Sequence, residues 1–567
     1  MMRSAVLVVI LVVGAGLIAG CSRDDAPPTI NYVVDADIRS YNANTENGNA
    51  DGVLMAFTRV LPGFSYLGDA GQVTPDRDVG TVTREPGTRL TLKYQFNPRA
   101  TYSDGTAMDC DDLVLAWAAM SGRFGQFTPA TTAGYRDIDS VDCAPGDKTA
   151  TVTFAAGRDP SDWASLFGAG TLLPAQVVAR AAGVPDVADP IRTGNRAAIA
   201  RIATAWNTGF DLAPGDLDPA RFPSAGPYKI ASYSTSGGVV LVANDKWWGD
   251  PPATSRIAIF GRSSDAAGRI ADGDYDVADV TAGLVAGAEE MRSGATSAAT
   301  TAGAGLRVGA PGQALGVEGL VLSGRGVFAD ARVRRAFASC VPRDALARQF
   351  GYGAQMWNMR VLAPGDELAA SLNGEFGTQY ARPDLPRARD LLAQAAGDAG
   401  GRPARTVRIG YAAPTERWKQ MVAAIATACA PAGITVTDVG ADTHGVGTLG
   451  SSADALLVAN GAAFAAAGAA DETRDAYQLR GDDPLDLPNF SNPQVNDAID
   501  ALAVTDLESE RLALVRTIEN AAWAQVPSIP LFAAPRAHGW KDRITNVVAG
   551  AGRNGTGWNM DRWVRSQ

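Results

Sequence analysis

An apolar run from Ala5 to Ala19, preceded by Arg3, stops at Gly20-Cys21. It is too short to span a bilayer and closes on small residues before a cysteine. That is the pattern of a bacterial lipoprotein signal peptide over residues 1–20, not of a transmembrane helix. Cleavage before Cys21 leaves its thiol to carry diacylglycerol and its new amine to be acylated, and several acyl chains anchor stably where one does not. The rest of the chain is therefore expected to fold outside the cytoplasm, lipid-anchored on the extracytoplasmic face of the cell membrane.

That compartment gives the four remaining cysteines a role. Cys110, Cys143, Cys340 and Cys429 are an even set in an oxidising environment, which favours two disulfides over free thiols. Sequence proximity pairs Cys110 with Cys143 and Cys340 with Cys429, one of three possible connectivities. There is no CxxC, and the only histidines are His444 and His538, so neither a zinc site nor a cofactor is expected.

At 567 residues the chain exceeds one ordinary core, and two or three lobes are expected. The formal net charge of -11 argues against nucleic acid or an anionic membrane face as the main partner. Nucleophilic catalysis has little to work with: there is no GxSxG elbow and no P-loop. Gly445-Val-Gly-Thr-Leu-Gly450 matches GxGxxG, but another strand-like run follows it where a helix should cradle a pyrophosphate. No carboxylate pair stands out as a glycosidase couple, and the chain is not expected to be an enzyme.

Period-two alternation predicts strands at Arg89–Phe96 and Ala150–Phe154, and Asn31–Asp35 reads as an opening strand. Between the first two, Asp111–Ser121 reads as a helix capped by Asp109, with Asp111 and Asp112 in its first turn. Val239–Val242 and Ile257–Phe260 read as strands. Further on, helical patterns at Ala331–Ser339, Leu385–Ala396, Arg417–Ala428 and Arg511–Trp523 alternate with strands at Val407–Tyr411, Ile434–Val439 and Ala455–Val458. Such interleaving implies an α/β lobe around a mixed or parallel sheet.

Five segments, in order, carry a resemblance. They are Tyr102-Ser-Asp-Gly-Thr-Ala-Met-Asp-Cys-Asp-Asp-Leu-Val-Leu-Ala-Trp117, Ser224-Ala-Gly-Pro-Tyr-Lys-Ile230 with Val240-Leu-Val-Ala-Asn-Asp-Lys-Trp-Trp-Gly249, Phe328-Ala-Asp-Ala-Arg-Val-Arg-Arg-Ala-Phe-Ala338, Asn489-Phe-Ser-Asn-Pro-Gln-Val-Asn496 and Val526-Pro-Ser-Ile-Pro-Leu-Phe532. Together they resemble family 5 extracytoplasmic solute-binding proteins, the peptide- and nickel-binding group of ABC importers. The resemblance covers nearly the whole mature chain. It departs where peptide-binding members carry an aromatic and acidic stretch. Here Val458 to Glu472 is mostly alanine, and the nearest acids that could anchor a peptide amine, Asp471 and Glu472, come only at its far end.

The resemblance implies an α/β fold of the periplasmic-binding-protein type, a type II, cluster C two-lobe clamp with an extra subdomain. Lobe I would be discontinuous over 22–62, 195–316 and 535–567, the subdomain would cover 63–194, and lobe II 317–534. It implies a monomer that binds an oligopeptide or similar small solute in the cleft and delivers it to permease subunits. A non-transport scaffold for envelope lipid or glycan assembly is the alternative, with an extracytoplasmic hydrolase behind it. Ligand contacts are expected from polar and aromatic loop residues: Tyr41, Asn42 and Asn44 after the opening strand, Trp357 and Asn358 after a glycine turn, and Asn460 in the altered stretch. Amides and rings without an adjacent acid suit neutral polar groups.

Overall fold

The computed structural model describes residues 28–215, 217–285, 300–302, 305–308, 315–398, 405–461 and 472–566; the signal segment 1–20 and Cys21 lie outside them. Thr29–Val34 is β-branched and aromatic in composition, and it sits centrally in an eight-stranded sheet. Arg256–Phe260 and Val277–Thr281 flank it in parallel. Gly238–Ala243 and Tyr228–Ser234 extend one side as antiparallel neighbours. Arg536–Lys541, Leu306–Val308 and Thr300–Ala302 extend the other.

A second, five-stranded sheet runs in the order Thr435–Asp438, Thr406–Gly410, Ala455–Gly461, Gly316–Leu322 and Ser528–Ala533. Its first three strands are parallel neighbours, as the helix–strand alternation predicts. Helices Ala331–Ala338, Leu385–Asp398, Glu416–Cys429 and Glu508–Gln525 pack in this half, each within a few residues of its predicted span. Its core is a separate apolar cluster from that of the eight-stranded half.

A four-stranded antiparallel sheet forms the extra subdomain's centre. Leu92, Tyr94 and Phe96 of Thr91–Phe96 point inward, and Leu92 stands opposite Val152 of Thr149–Phe154. Helix Cys110–Met120 covers it. The Asp109 side chain accepts from Asp111 N–H at 3.0 Å, and Asp112 accepts from Asp109 N–H at 3.2 Å, so the helix start is closed by a reciprocal cap. Cys110 at that same helix start is bonded to Cys143, and Cys340 to Cys429.

The chain passes from the eight-stranded to the five-stranded sheet before Gly316 and returns after Ala533. The two crossings touch: Ala534 N–H donates to the Gly316 carbonyl at 2.8 Å. A second contact lies between the subdomain and the five-stranded half. There Thr132 offers both its N–H and its hydroxyl to Asp483 at 2.8 and 2.5 Å, and Arg474 pairs with Asp162.

Candidate functional site

Open α/β sheets bind ligands beyond the carboxyl ends of their parallel strands, where loops leave the sheet and no side chain is committed to its core. In the first lobe those ends supply Asp35, Ala36 and Asp37 after Thr29–Val34, Arg262 after Arg256–Phe260, and Thr281 at the end of its strand. In the second lobe Thr406–Gly410 delivers Tyr411 and Ala412. All of these line one cavity of about 670 Å³ between the lobes, within the range of about 300–1,000 Å³ usual for small-ligand sites. Glu46, Asn47, Asn49 and Asp51 add to the first wall, and Trp418 and the segment from His444 to Thr448 to the second.

Two arginines of the first lobe reach across. Arg262 donates to the Ala412 carbonyl at 3.0 Å and to the Thr415 hydroxyl at 2.9 Å, and its guanidinium lies 5.5 Å from the Trp418 ring centre. Arg39 pairs with Asp37 at 3.1 Å and donates to the Asp442 carbonyl. The bonds to Ala412, Thr415 and Asp442 join the two lobes across the cavity. Asp35 accepts from the Thr281 hydroxyl at 2.7 Å, which ties two of the parallel strand ends together.

Behind the cavity a recess of about 60 Å³ shares Asp35, Ala36, Asp51 and Thr281 with it and reaches the lobe crossings at Gly316 and Ala534. Its charges are matched. Asp51 pairs with Arg553 at 2.6 Å, and Asp279 with Arg536 at 2.6 Å. Burial alone would push the Asp279 carboxyl up. Arg536, His538 and the Thr556 N–H outweigh it and hold the group far below the usual carboxylate range.

The residues expected from sequence to touch ligand are placed differently. Tyr41, Asn42, Asn44 and Trp357 are each 1% exposed, and Asn358 is buried. None of the five lines the cavity. Tyr41 donates to the Pro223 carbonyl at 3.0 Å, Asn42 to Trp206 at 3.1 Å and Asn44 to Gly170 at 2.7 Å, so all three join distant loops inside the first half. Trp357 donates its indole N–H to the Leu362 carbonyl at 3.0 Å. Asn358 accepts from Arg343 at 2.7 Å, helping to solvate a buried guanidinium that burial pushes down to about 9. Asn460 lies in strand Ala455–Gly461 opposite Val317, and 462–471, most of the altered stretch, is outside the described residues. Trp357→Ala is thus expected to cost about 3–5 kcal/mol of stability and to leave solute affinity unchanged in the protein that stays folded. Calorimetric titration alongside thermal melting checks both.

What the sequence reading missed is the cavity wall itself: Asp35, Asp37, Arg39, Glu46, Arg262, Tyr411, Trp418 and His444. The available signal was position, at or just past the carboxyl end of a predicted strand, for Asp35, Arg262 and Tyr411. Among the described residues no group of three or more His, Cys, Asp or Glu is arranged to hold a metal ion, and no helix is long and apolar enough to cross a membrane.

Two α/β lobes joined by paired crossings, with a cavity between them and a subdomain on one side, define a solute-binding clamp. Residues 87–466 match the family described as bacterial extracellular solute-binding proteins, family 5 Middle, and the chain belongs to that family. It is 40% identical over 557 residues to the uncharacterized lipoprotein Rv2585c of Mycobacterium tuberculosis, covering 97% of this chain and 96% of that protein. It is 28% identical over 337 residues to the oligopeptide-binding protein OppA of Mycobacterium bovis, covering 59% of this chain and 48% of OppA. The oligopeptide-binding protein AppA from Bacillus subtilis, in complex with a nonapeptide, superposes with a TM-score of 0.70 at 12% identity, covering 95% of this chain and all of that one (100%).

Proposed function

We propose that this protein is the lipid-anchored substrate-binding component of an ABC importer. It takes an oligopeptide or similar small solute between its lobes and presents it to membrane permease subunits, acting as a monomer without catalysis. The observation that carries the reading is the cavity of about 670 Å³ walled by both lobes. Arg39 and Arg262, bonded across it, support a closed state that a permease could recognise. In this reading lobe I comprises 22–62, 195–316 and 535–567, the subdomain 63–194, and lobe II 317–534.

The test is native mass spectrometry of the full-length protein purified in detergent. A small solute is expected to co-purify and to be displaced on partial unfolding. A protein that carries nothing, and whose melting temperature no peptide library raises, would refute the reading. Anchoring is tested separately. Cys21→Ala should abolish acylation and release the protein from the membrane fraction, and acyl mass retained on the variant would overturn the lipoprotein assignment.

A further inference from the structure

The cavity's charge names a class of ligand, on the reading that this cavity is the solute site. Among the described residues five carboxylates line it, Asp35, Asp37, Glu46, Asp51 and Asp211, against two guanidinium groups, Arg39 and Arg262. Both cations already face carboxylates. Arg39 holds Asp37 and the Asp442 carbonyl. Arg262 holds the Ala412 carbonyl, the Thr415 hydroxyl and the Asp35 carbonyl, and it lies within 4.0 Å of the Asp35 and Asp37 carboxylates. Arg39 uses only Nη2 in these bonds and Arg262 Nε has no hydrogen-bond partner among the described residues, so it is the balance of charge, five carboxylates to two guanidinium groups, that disfavours an anion. Asp51 is matched by Arg553 from the adjoining recess.

Glu46 is not matched. Among the described residues its carboxylate has no ion pair and no side-chain hydrogen bond, and it faces Gly447 of the opposite lobe, 3.9 Å from where a Cβ on that glycine would stand. Asp211 has Arg221 as a neighbouring positive charge, but no cation within ion-pair distance among the described residues. On the second lobe, Trp418 is buried against the cavity, and its indole N–H has no hydrogen-bond partner among the described residues. The ring already lies against one guanidinium, Arg262, and aromatic faces attract cations. A carboxylate that faces a cavity without a counter-charge attracts a cation that enters it.

We propose that the solute carries a positive charge, a protonated amine or a guanidinium, and that Glu46 receives it with Asp211 as a second negative pole.

The experiment compares spermidine and three tripeptides of one length on the full-length protein by calorimetric titration. The peptides are Ala-Lys-Ala amide, N-acetyl-Ala-Gln-Ala amide and N-acetyl-Ala-Glu-Ala. A cationic probe should bind, weaken as salt is raised, and lose roughly tenfold or more in affinity with Glu46→Gln. Glu46 is only partly buried, so the variant is expected to fold, and its melting temperature reports that. Equal or tighter binding of the neutral or acidic peptide overturns the proposal, as does a cationic probe indifferent to Glu46→Gln and Asp211→Asn together. If no probe binds but a solute co-purifies, its charge decides: an amine or guanidinium supports the proposal, and a neutral or anionic solute overturns it. If no probe binds and no solute co-purifies, the solute-binding reading falls, and this one with it.

Discussion

Glu519→Ala should remove about 3–5 kcal/mol from the stability of the five-stranded half, one of the largest effects a single substitution can have here. Glu519 is fully buried and so is its partner Arg360. One carboxylate oxygen accepts from the backbone N–H of both Arg360 and Val361, the latter at 2.9 Å, and the other takes Arg360 Nη1 at 3.0 Å. The rest of the guanidinium is held by the Ser528 hydroxyl and carbonyl, and it lies 4.3 Å from the Trp523 ring centre. Truncating Glu519 strands a buried cation and two backbone N–H groups at once, which costs far more than the pair contributes over an apolar substitute. Urea unfolding followed by tryptophan fluorescence reads it directly. A loss under about 1 kcal/mol would show that water enters and takes the place of the carboxylate.

Asp279→Asn should weaken the first lobe by a comparable amount at neutral pH and change the shape of its acid unfolding. The carboxylate gathers Arg536 at 2.6 Å, Thr556 N–H at 2.8 Å, the Thr556 hydroxyl at 3.0 Å and His538 Nδ1 at 3.3 Å, all in a fully buried position. Its folded pKa lies below its unfolded value of about 3.9. The stabilisation it contributes is therefore complete above about pH 4 and is lost as pH falls through the folded value. The native protein should lose melting temperature as pH falls below about 4, and the Asn variant should start lower and fall less. Parallel slopes for the two proteins would mean that other carboxylates govern the acid limb.

The elements that were legible from sequence are those whose signal is local. Leu92, Tyr94 and Phe96 alternate because one face of their strand is buried, and Asp109 caps a helix because its side chain meets an N–H two residues on. The candidate site was not local. Asn42 and Asn44 look like ligand amides because they are polar and follow a strand, yet their acceptors are carbonyls of Trp206 and Gly170, more than a hundred residues away. Nothing between positions 42 and 44 announces such partners. Likewise Arg262 reads as one arginine among many until Ala412 and Thr415 are brought to it by the closing of the other lobe. The five ordered segments gave the clamp because they are scaffold. The cavity wall comes from the loops between them, where composition is free to vary.

Each disulfide staples residues of a single body. Cys110–Cys143 fastens a helix start to its own small sheet, and Cys340–Cys429 joins two helices of one lobe. Neither spans the cleft. Among the described residues the halves are held to each other by arginine contacts, the Thr132–Asp483 bonds and the hydrogen bond between the two crossings, all breakable without covalent chemistry. Reduction would thus loosen each half on its own, while the parting of the halves from each other is left to thermal motion and salt.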